Sequence, residues 1–226
     1  MNDMGGRSTD GQLLRHSGTP AAAVVGGSIV SFDEGLSFQD REDIYLSNLY
    51  AQLATRSAYK DGLVGNWFDY YKNKLRYLGW DSARPVSAGR AGQGLMVDSV
   101  SRQISRSFDE RFSRQASQAL GTLRRNPDAL EVFERTSLLR DTGCFQVIPC
   151  TSKSSGRIEI GLYHKQFRTR RTVSRFLFWP IEDVVESSQE EMAVITFSTL
   201  HYATFREKVA AAVMSETVRH LHALEL

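Results

Sequence analysis

Arg157-Ile158-Glu159-Ile160-Gly161-Leu162-Tyr163 alternates polar and apolar residues, and a period of two is the mark of a strand with one buried face. Just upstream, Cys144-Phe145-Gln146-Val147-Ile148-Pro149-Cys150 has the composition of a second strand, and the polar stretch Thr151 to Gly156 reads as the turn between them. Val173 to Trp179 is rich in β-branched and aromatic residues and is stopped by Pro180, which predicts a third strand; Met192 to Ser198 predicts a fourth. Arg84 to Ala88 is a candidate for one more. The connections are short and polar, so hairpins are expected, giving an antiparallel sheet of about four to five strands.

Around this meander the period changes to that of helices. Ser37-Phe38-Gln39-Asp40 has the form of a capping box, and Leu46, Leu49, Tyr50 and Leu53 follow at helical spacing to about Tyr59. Asp61-Gly62 turns the chain. A second helix, from about Asn66 to Leu78, presents Phe68, Tyr71, Leu75 and Leu78 on one face, with Gly79 placed to take a left-handed conformation beyond its end. The two should pack as an antiparallel hairpin. From Val97, the residues Val100, Ile104, Phe108, Phe112, Ala116, Ala119 and Leu123 recur every three or four positions, and Asn126-Pro127 ends the run. Asp128 to Glu134 reads as a short helix in preference to a strand. A closing helix is expected from about Tyr202 to Leu221, with Phe205, Val209, Ala212 and Val213 buried. The fold class is therefore α/β of the layered α+β kind, a helical hairpin and further helices packed on the sheet. Residues 37–226 are expected to form one domain. Residues 1–36 are expected to be a disordered tail: the start is polar and rich in Gly and Ser, and Ala21 to Val30 is a run of small apolar residues with no cleavage site behind it.

Bulk properties exclude more than they assign. The chain of 226 residues carries 28 Lys and Arg against 26 Asp and Glu, so no excess charge draws it to nucleic acid or an anionic membrane, and nucleic acid is not an expected partner. No stretch reaches the roughly 18 apolar residues of a membrane-spanning helix. Cys144 and Cys150 on one strand would stand about 20 Å apart, too far for a bridge, so both are expected as free thiols. That suits a reducing compartment and makes the cytoplasm the default location, with secretion lacking a recognisable signal as the alternative.

Several segments resemble a family of small, largely uncharacterised bacterial and fungal proteins. They are Leu49-Tyr50-Ala51-Gln52-Leu53-Ala54, Asn66-Trp67-Phe68-Asp69-Tyr70-Tyr71 with Leu75 to Trp80, Val132-Phe133-Glu134-Arg135-Thr136-Ser137 leading to Gly143-Cys144-Phe145-Gln146-Val147, Val173 to Trp179, and the last helix from Tyr202 and Arg206. The resemblance implies a shared fold and no transferable activity. In layout the chain more distantly resembles the cytolytic delta-endotoxins and the Erwinia virulence factor, which implies a lipid-interacting, toxin-like role; the arginine-rich stretches depart from an apolar, membrane-penetrating surface.

No phosphate loop, Cys-x-x-Cys pair, zincin helix or nucleophile elbow is present, so no catalytic residue, metal ligand or cofactor is assigned. Two concentrations stand out. Arg168, Arg170, Arg171 and Arg175 form the densest basic cluster, of the kind that binds phosphate through forked hydrogen bonds, and Arg102 to Arg114 could extend it. Trp67, Tyr70, Tyr77 and Trp80, around the core aromatic Tyr71, are candidates for an interaction surface facing a lipid, a ligand or a second copy of the chain. His220 and His222, two apart on the expected helix, face different ways and make poor co-ligands. The leading expectation is a non-enzymatic binding protein, acting through a surface or membrane contact. One alternative is an enzyme built on Cys144 or Cys150 with His164; another is a self-assembling structural protein.

Overall fold

Ala21-Ala22-Ala23-Val24-Val25 and Ser28-Ile29-Val30-Ser31-Phe32 form β1 (Ala21–Val25) and β2 (Ser28–Phe32), an antiparallel hairpin turning through Gly26-Gly27. The computed structural model describes residues 21–81, 84–87, 93–154, 156–169 and 174–225. α1 (Phe38–Lys60) opens with the expected capping box between Ser37 and Asp40. α2 (Trp67–Tyr77) is capped by Asn66, whose side chain accepts from the amides of Phe68 and Asp69, and Gly79 beyond its end has φ +93°. β3 (Trp80–Asp81) and β4 (Pro85–Val86) are two-residue strands. α3 (Met96–Ser107), α4 (Glu110–Arg125) and α5 (Pro127–Ser137) follow, then β5 (Leu138–Leu139), β6 (Thr142–Ser154) and β7 (Arg157–Thr169). The chain closes with α6 (Ile181–Val184), β8 (Val185–Ser198), α7 (Thr199–Tyr202), α8 (Arg206–His220) and β9 (Leu221–Glu225).

The strands make one sheet in the order β3-β8-β7-β6-β2-β1-β9, with β4 on β8 and β5 on β6. Its faces are separated residue by residue. Ala23, Val25, Val30, Phe32, Ile148, Ile160 and Leu162 pack against α1, α2 and α8. Ala22, Val24, Ile29, Phe145, Val147, Tyr163 and Phe167 pack against the residues of α3, α4 and α5. Burial on both sides is the physical reason for the α+β architecture: each helical layer hides an apolar stripe that the sheet alone can cover. One forked ion pair ties the last helix to the first. Arg206 donates to both oxygens of the fully buried Asp43, at 2.8 and 2.7 Å.

Five expectations are corrected. The stretch from Ala21 to Phe32, expected within a disordered tail, is sheet interior. Its strands are covered on both faces, so they read as a run of small apolar residues without alternation. The sheet has nine strands among the described residues, and it is mixed: β2 pairs with β6 in parallel, Ser28 opposite Gln146, reached through the intervening helices. Phe176-Leu177-Phe178, expected as strand, is a 3-10 turn, with Arg175 before it at φ 60°. Phe176 works as a plug, its ring 5.8, 5.8 and 5.5 Å from those of Phe133, Phe145 and Phe167. The long third helix is two helices, divided where Asp109 accepts from the Phe112 amide and restarts the chain as an N-cap. The closing helix likewise ends at His220, and His222 lies on β9.

The β1–β2 turn is held from outside by one side chain. The Gly27 amide donates to Gln52 Oε1 at 2.8 Å, and Gln52 Nε2 donates to Val25 O at 2.8 Å and Ser28 Oγ at 2.9 Å. Gly26, at φ +57°, admits no larger residue, because a Cβ there would lie 2.6 Å from Gln52 Oε1. Gln52→Leu keeps the volume and removes both turn bonds, leaving the buried Gly27 N–H unpaired and taking one donor from Val25 C=O. The expected loss is about 2–4 kcal/mol in urea unfolding, with faster exchange of the Gly27 amide. A loss below about 1 kcal/mol would mean that other groups take over these bonds.

Candidate functional site

Gln52 is also the first link of a buried polar chain that crosses the sheet. Ser28 Oγ, which accepts from Gln52, donates to Gln146 Oε1 at 2.7 Å, and Gln146 Nε2 lies 3.1 Å from His164 Nδ1. Ser28, Gln146 and His164 stand opposite one another on β2, β6 and β7, which is why they meet. The donated bond from Gln146 makes Nδ1 the acceptor, so the imidazole proton sits on Nε2. The ring stacks on Phe68 with centroids 3.8 Å apart, and Trp67 lies parallel at 6.0 Å. Asn48 Oδ1 accepts from Tyr71 OH at 2.6 Å and extends the network into α2.

At the end of this chain the surface opens into a cavity of about 520 Å³. Its floor carries neutral hydrogen-bonding groups: Gln52, Gln146, Ser137 and the Cys144 thiol. Ser137 Oγ is buried and has no hydrogen-bond partner among the described residues. Leu49, Leu53, Trp67 and Leu139 supply apolar wall. Arg56, Lys60 and Arg140 line it as well, and they form no ion pair among the described residues. The one carboxylate in the lining, Asp141, is engaged by Arg168 at 3.2 Å, which holds it below the usual carboxylate range. Three cations therefore stand unopposed around a hydrogen-bonding floor, an arrangement that can hold an anion.

The residues singled out from the sequence are dispersed. Arg168 is exposed and spends its charge on Asp141. Arg175 reaches Arg124 O at 3.5 Å and lies 5.8 Å from the centre of the Phe178 ring. Arg170 and Arg171 lie outside the described residues. Among the aromatics, Trp80 does not belong to any surface: it is 1% exposed, donates to Ser47 Oγ at 2.9 Å and packs on Phe197. Large, flat and half-polar, it is used as core because its one N–H finds a partner. Trp67 is half-buried at the cavity wall, stacked on Tyr71 at 5.0 Å. Tyr70 carries Lys74 Nζ at 4.9 Å over its ring, and Tyr77 is exposed and lies on Phe205. Arg56, Lys60 and Arg140 were not legible as a set, being 84 positions apart at the extremes; only the fold joins them.

The alternative of a Cys/His reaction centre finds little support in this geometry. Cys150 is buried in the apolar layer, and burial pushes its thiol pKa well up. Cys144 reaches the cavity, but burial raises its pKa too, and its contact is the Gln146 amide at 3.7 Å. That amide stands between the sulfur and His164. A nucleophilic cysteine needs the opposite: a lowered pKa and a base in reach.

No family model matches the chain, and no curated protein matches it. Among solved structures it is similar to the one titled "Structure of the Evf virulence factor", at 13% identity and a TM-score of 0.32, over 91% of this chain and 88% of that one. This is a distant likeness, and no residue role passes across it. No helix among the described residues is long and apolar enough to cross a membrane.

Burial, and secondarily the charge of Lys72, lowers the His164 pKa from 6.5 to about 3. Folded His164 thus refuses the proton that the unfolded chain accepts below pH 6.5. Its contribution is intact above that value and is lost as pH falls, at about 1.4 kcal/mol per pH unit, until the folded ring protonates near pH 3. Urea unfolding of the native protein and of His164→Gln should therefore diverge. From about pH 6.5 to about pH 4.5 the native protein loses about 2 kcal/mol more than the variant. Equal acid slopes would show that this ring titrates freely in the fold.

Proposed function

We propose that this chain is a binding protein that takes an anionic ligand, bearing a phosphate or carboxylate, into the cavity beside the β1–β2 turn. The carrying observation is the meeting of three unpaired cations, Arg56, Lys60 and Arg140, around a floor of neutral amide and hydroxyl groups. Cations bind the charge; the amides of Gln52 and Gln146 and the Ser137 hydroxyl orient whatever is attached to it; Leu49, Leu53 and Trp67 accept its apolar part. The volume suits a small molecule or the headgroup of a lipid. A membrane-surface, toxin-like or host-interaction role is the version of this reading in which the phosphate belongs to a lipid.

The test is calorimetric titration with inorganic phosphate and with soluble dihexanoyl phosphatidate, alongside sedimentation with phosphatidylcholine vesicles with and without phosphatidylserine. Binding is expected to weaken about tenfold or more in the double variant Arg56→Gln/Lys60→Gln, since a hydrogen bond to a charged group is worth about 1.5–3 kcal/mol. Vesicle binding with that sensitivity places the anion on a lipid; binding of the soluble anions alone makes the ligand a free solute. The proposal fails if none of these probes binds, or if the double variant binds as the native protein does.

A further inference from the structure

Only two described residues other than glycine have a positive φ, and both are arginines: Arg140 at 57° and Arg175 at 60°. A side chain in this left-handed region crowds the backbone, and proteins ordinarily place Gly, Asn or Asp there. Arg140 is the first of two loop residues joining β5 to β6, where Leu139 pairs with Thr142. Two-residue hairpin loops favour glycine or asparagine at a central residue of positive φ, and here that is the first one alone. The β1–β2 turn of the same sheet uses Gly26-Gly27 in the equivalent place.

The two arginines differ in what offsets the strain. Arg175 has its guanidinium against Arg124 O and the Phe178 ring, and its charge also acts on Glu134. Arg140 has no such return: its side chain makes no hydrogen bond, ion pair or ring contact among the described residues, although it lines the cavity. The backbone around it is fixed independently, since Asp141 O accepts from the Thr169 amide at 2.8 Å and the Asp141 carboxylate holds Arg168. Among the described residues nothing uses the Arg140 head, and the turn itself would do better with another residue.

We propose that Arg140 is the specificity-determining residue of the cavity, held in a strained turn so that its guanidinium meets the ligand's anionic group. This rests on the cavity reading above and adds to it a particular residue and a particular chemistry. Arginine's planar fork grips two oxygens of one phosphate or carboxylate, which lysine's single ammonium cannot do. A rigid two-residue loop also presents that fork with little freedom to lose on binding.

The experiment compares the native protein with Arg140→Asn, Arg140→Lys and a charge control, Arg106→Gln, on the exposed side of α3. The probes are inorganic phosphate and dihexanoyl phosphatidate, read by calorimetry, with the thermal midpoint measured for each protein. Arg140→Asn should bind about tenfold or more weakly, while its midpoint stays level or rises, because asparagine tolerates the turn better. Arg140→Lys should recover only part of the affinity, and Arg106→Gln should bind like the native protein. The inference is overturned if Arg140→Asn binds as well as the native protein, if its midpoint drops by several degrees, or if Arg106→Gln weakens binding equally. The cavity reading fails separately, when the native protein itself binds neither probe.

Discussion

Burying a hairpin turn is costly, because its peptide groups lose water and cannot all pair with each other. This fold places the Gly26-Gly27 turn under α1 and meets that cost with one amide side chain, Gln52, which matches a turn donor and a turn acceptor at once. Much else follows from where that side chain sits. α1 must pass close over the turn, so Gly26 has no room for a side chain, while Gly27 is crowded by Cys144 O and Ser137 Oγ from below. β2 is then fixed beneath α1, and its pairing with β6 sets Ser28 opposite Gln146. The polar chain that begins at Gln52 thereby reaches His164 on β7 without a water-sized interruption.

A chain of neutral groups through an apolar layer is an unusual use of core volume. Replacing it by Leu and Val would bury more apolar surface, and half-satisfied buried networks generally weaken a fold. Here some atoms do stay unsatisfied: Asn48 Nδ2, His164 Nε2 and Ser137 Oγ lack partners among the described residues. Places where a native protein keeps polar groups it does not use in folding are where binding sites tend to lie. The cavity at the outer end of this network fits that expectation, and its cationic rim adds a sign to it.

The elements that could be read from the sequence are those whose pattern is local. The capping box at Ser37, the left-handed Gly79 and the strand from Arg157 to Tyr163 each encode their own conformation within a few residues and each is found, although that strand is covered on both faces from Ile160 onward. β1 and β2 failed to announce themselves for the reverse reason. A strand covered on both faces has no polar side to alternate with, so its only signature is a run such as Ala21 to Val25, which a terminal tail can share. Val173 to Trp179 misled differently: Phe176 is there to fill a hole among Phe133, Phe145 and Phe167, and a plug has the composition of a strand without its backbone. The site was illegible for a third reason. Arg168 and its neighbours were conspicuous because they are adjacent in sequence, whereas Arg56, Lys60 and Arg140 meet only around the cavity that the fold leaves between α1 and the β5–β6 turn.

That contrast bears on how charge should be weighed in a chain whose total is nearly balanced. Net charge of +2 says nothing about the cavity, because only one carboxylate, Asp141, belongs to its lining. Asp43 is consumed by Arg206 at the α1–α8 contact, Glu190 by the buried Lys165, and Asp141 by Arg168. Of these three, only Asp141 lines the cavity, and its pairing with Arg168 is what leaves the rim cations unopposed. The field in the cavity is therefore made by the three cations lining it, together with the ion pair that occupies its one carboxylate. Any partner that recognises this site is selected by charge the fold has left over, and it must also satisfy the amide floor to displace the water that the same groups would otherwise hold.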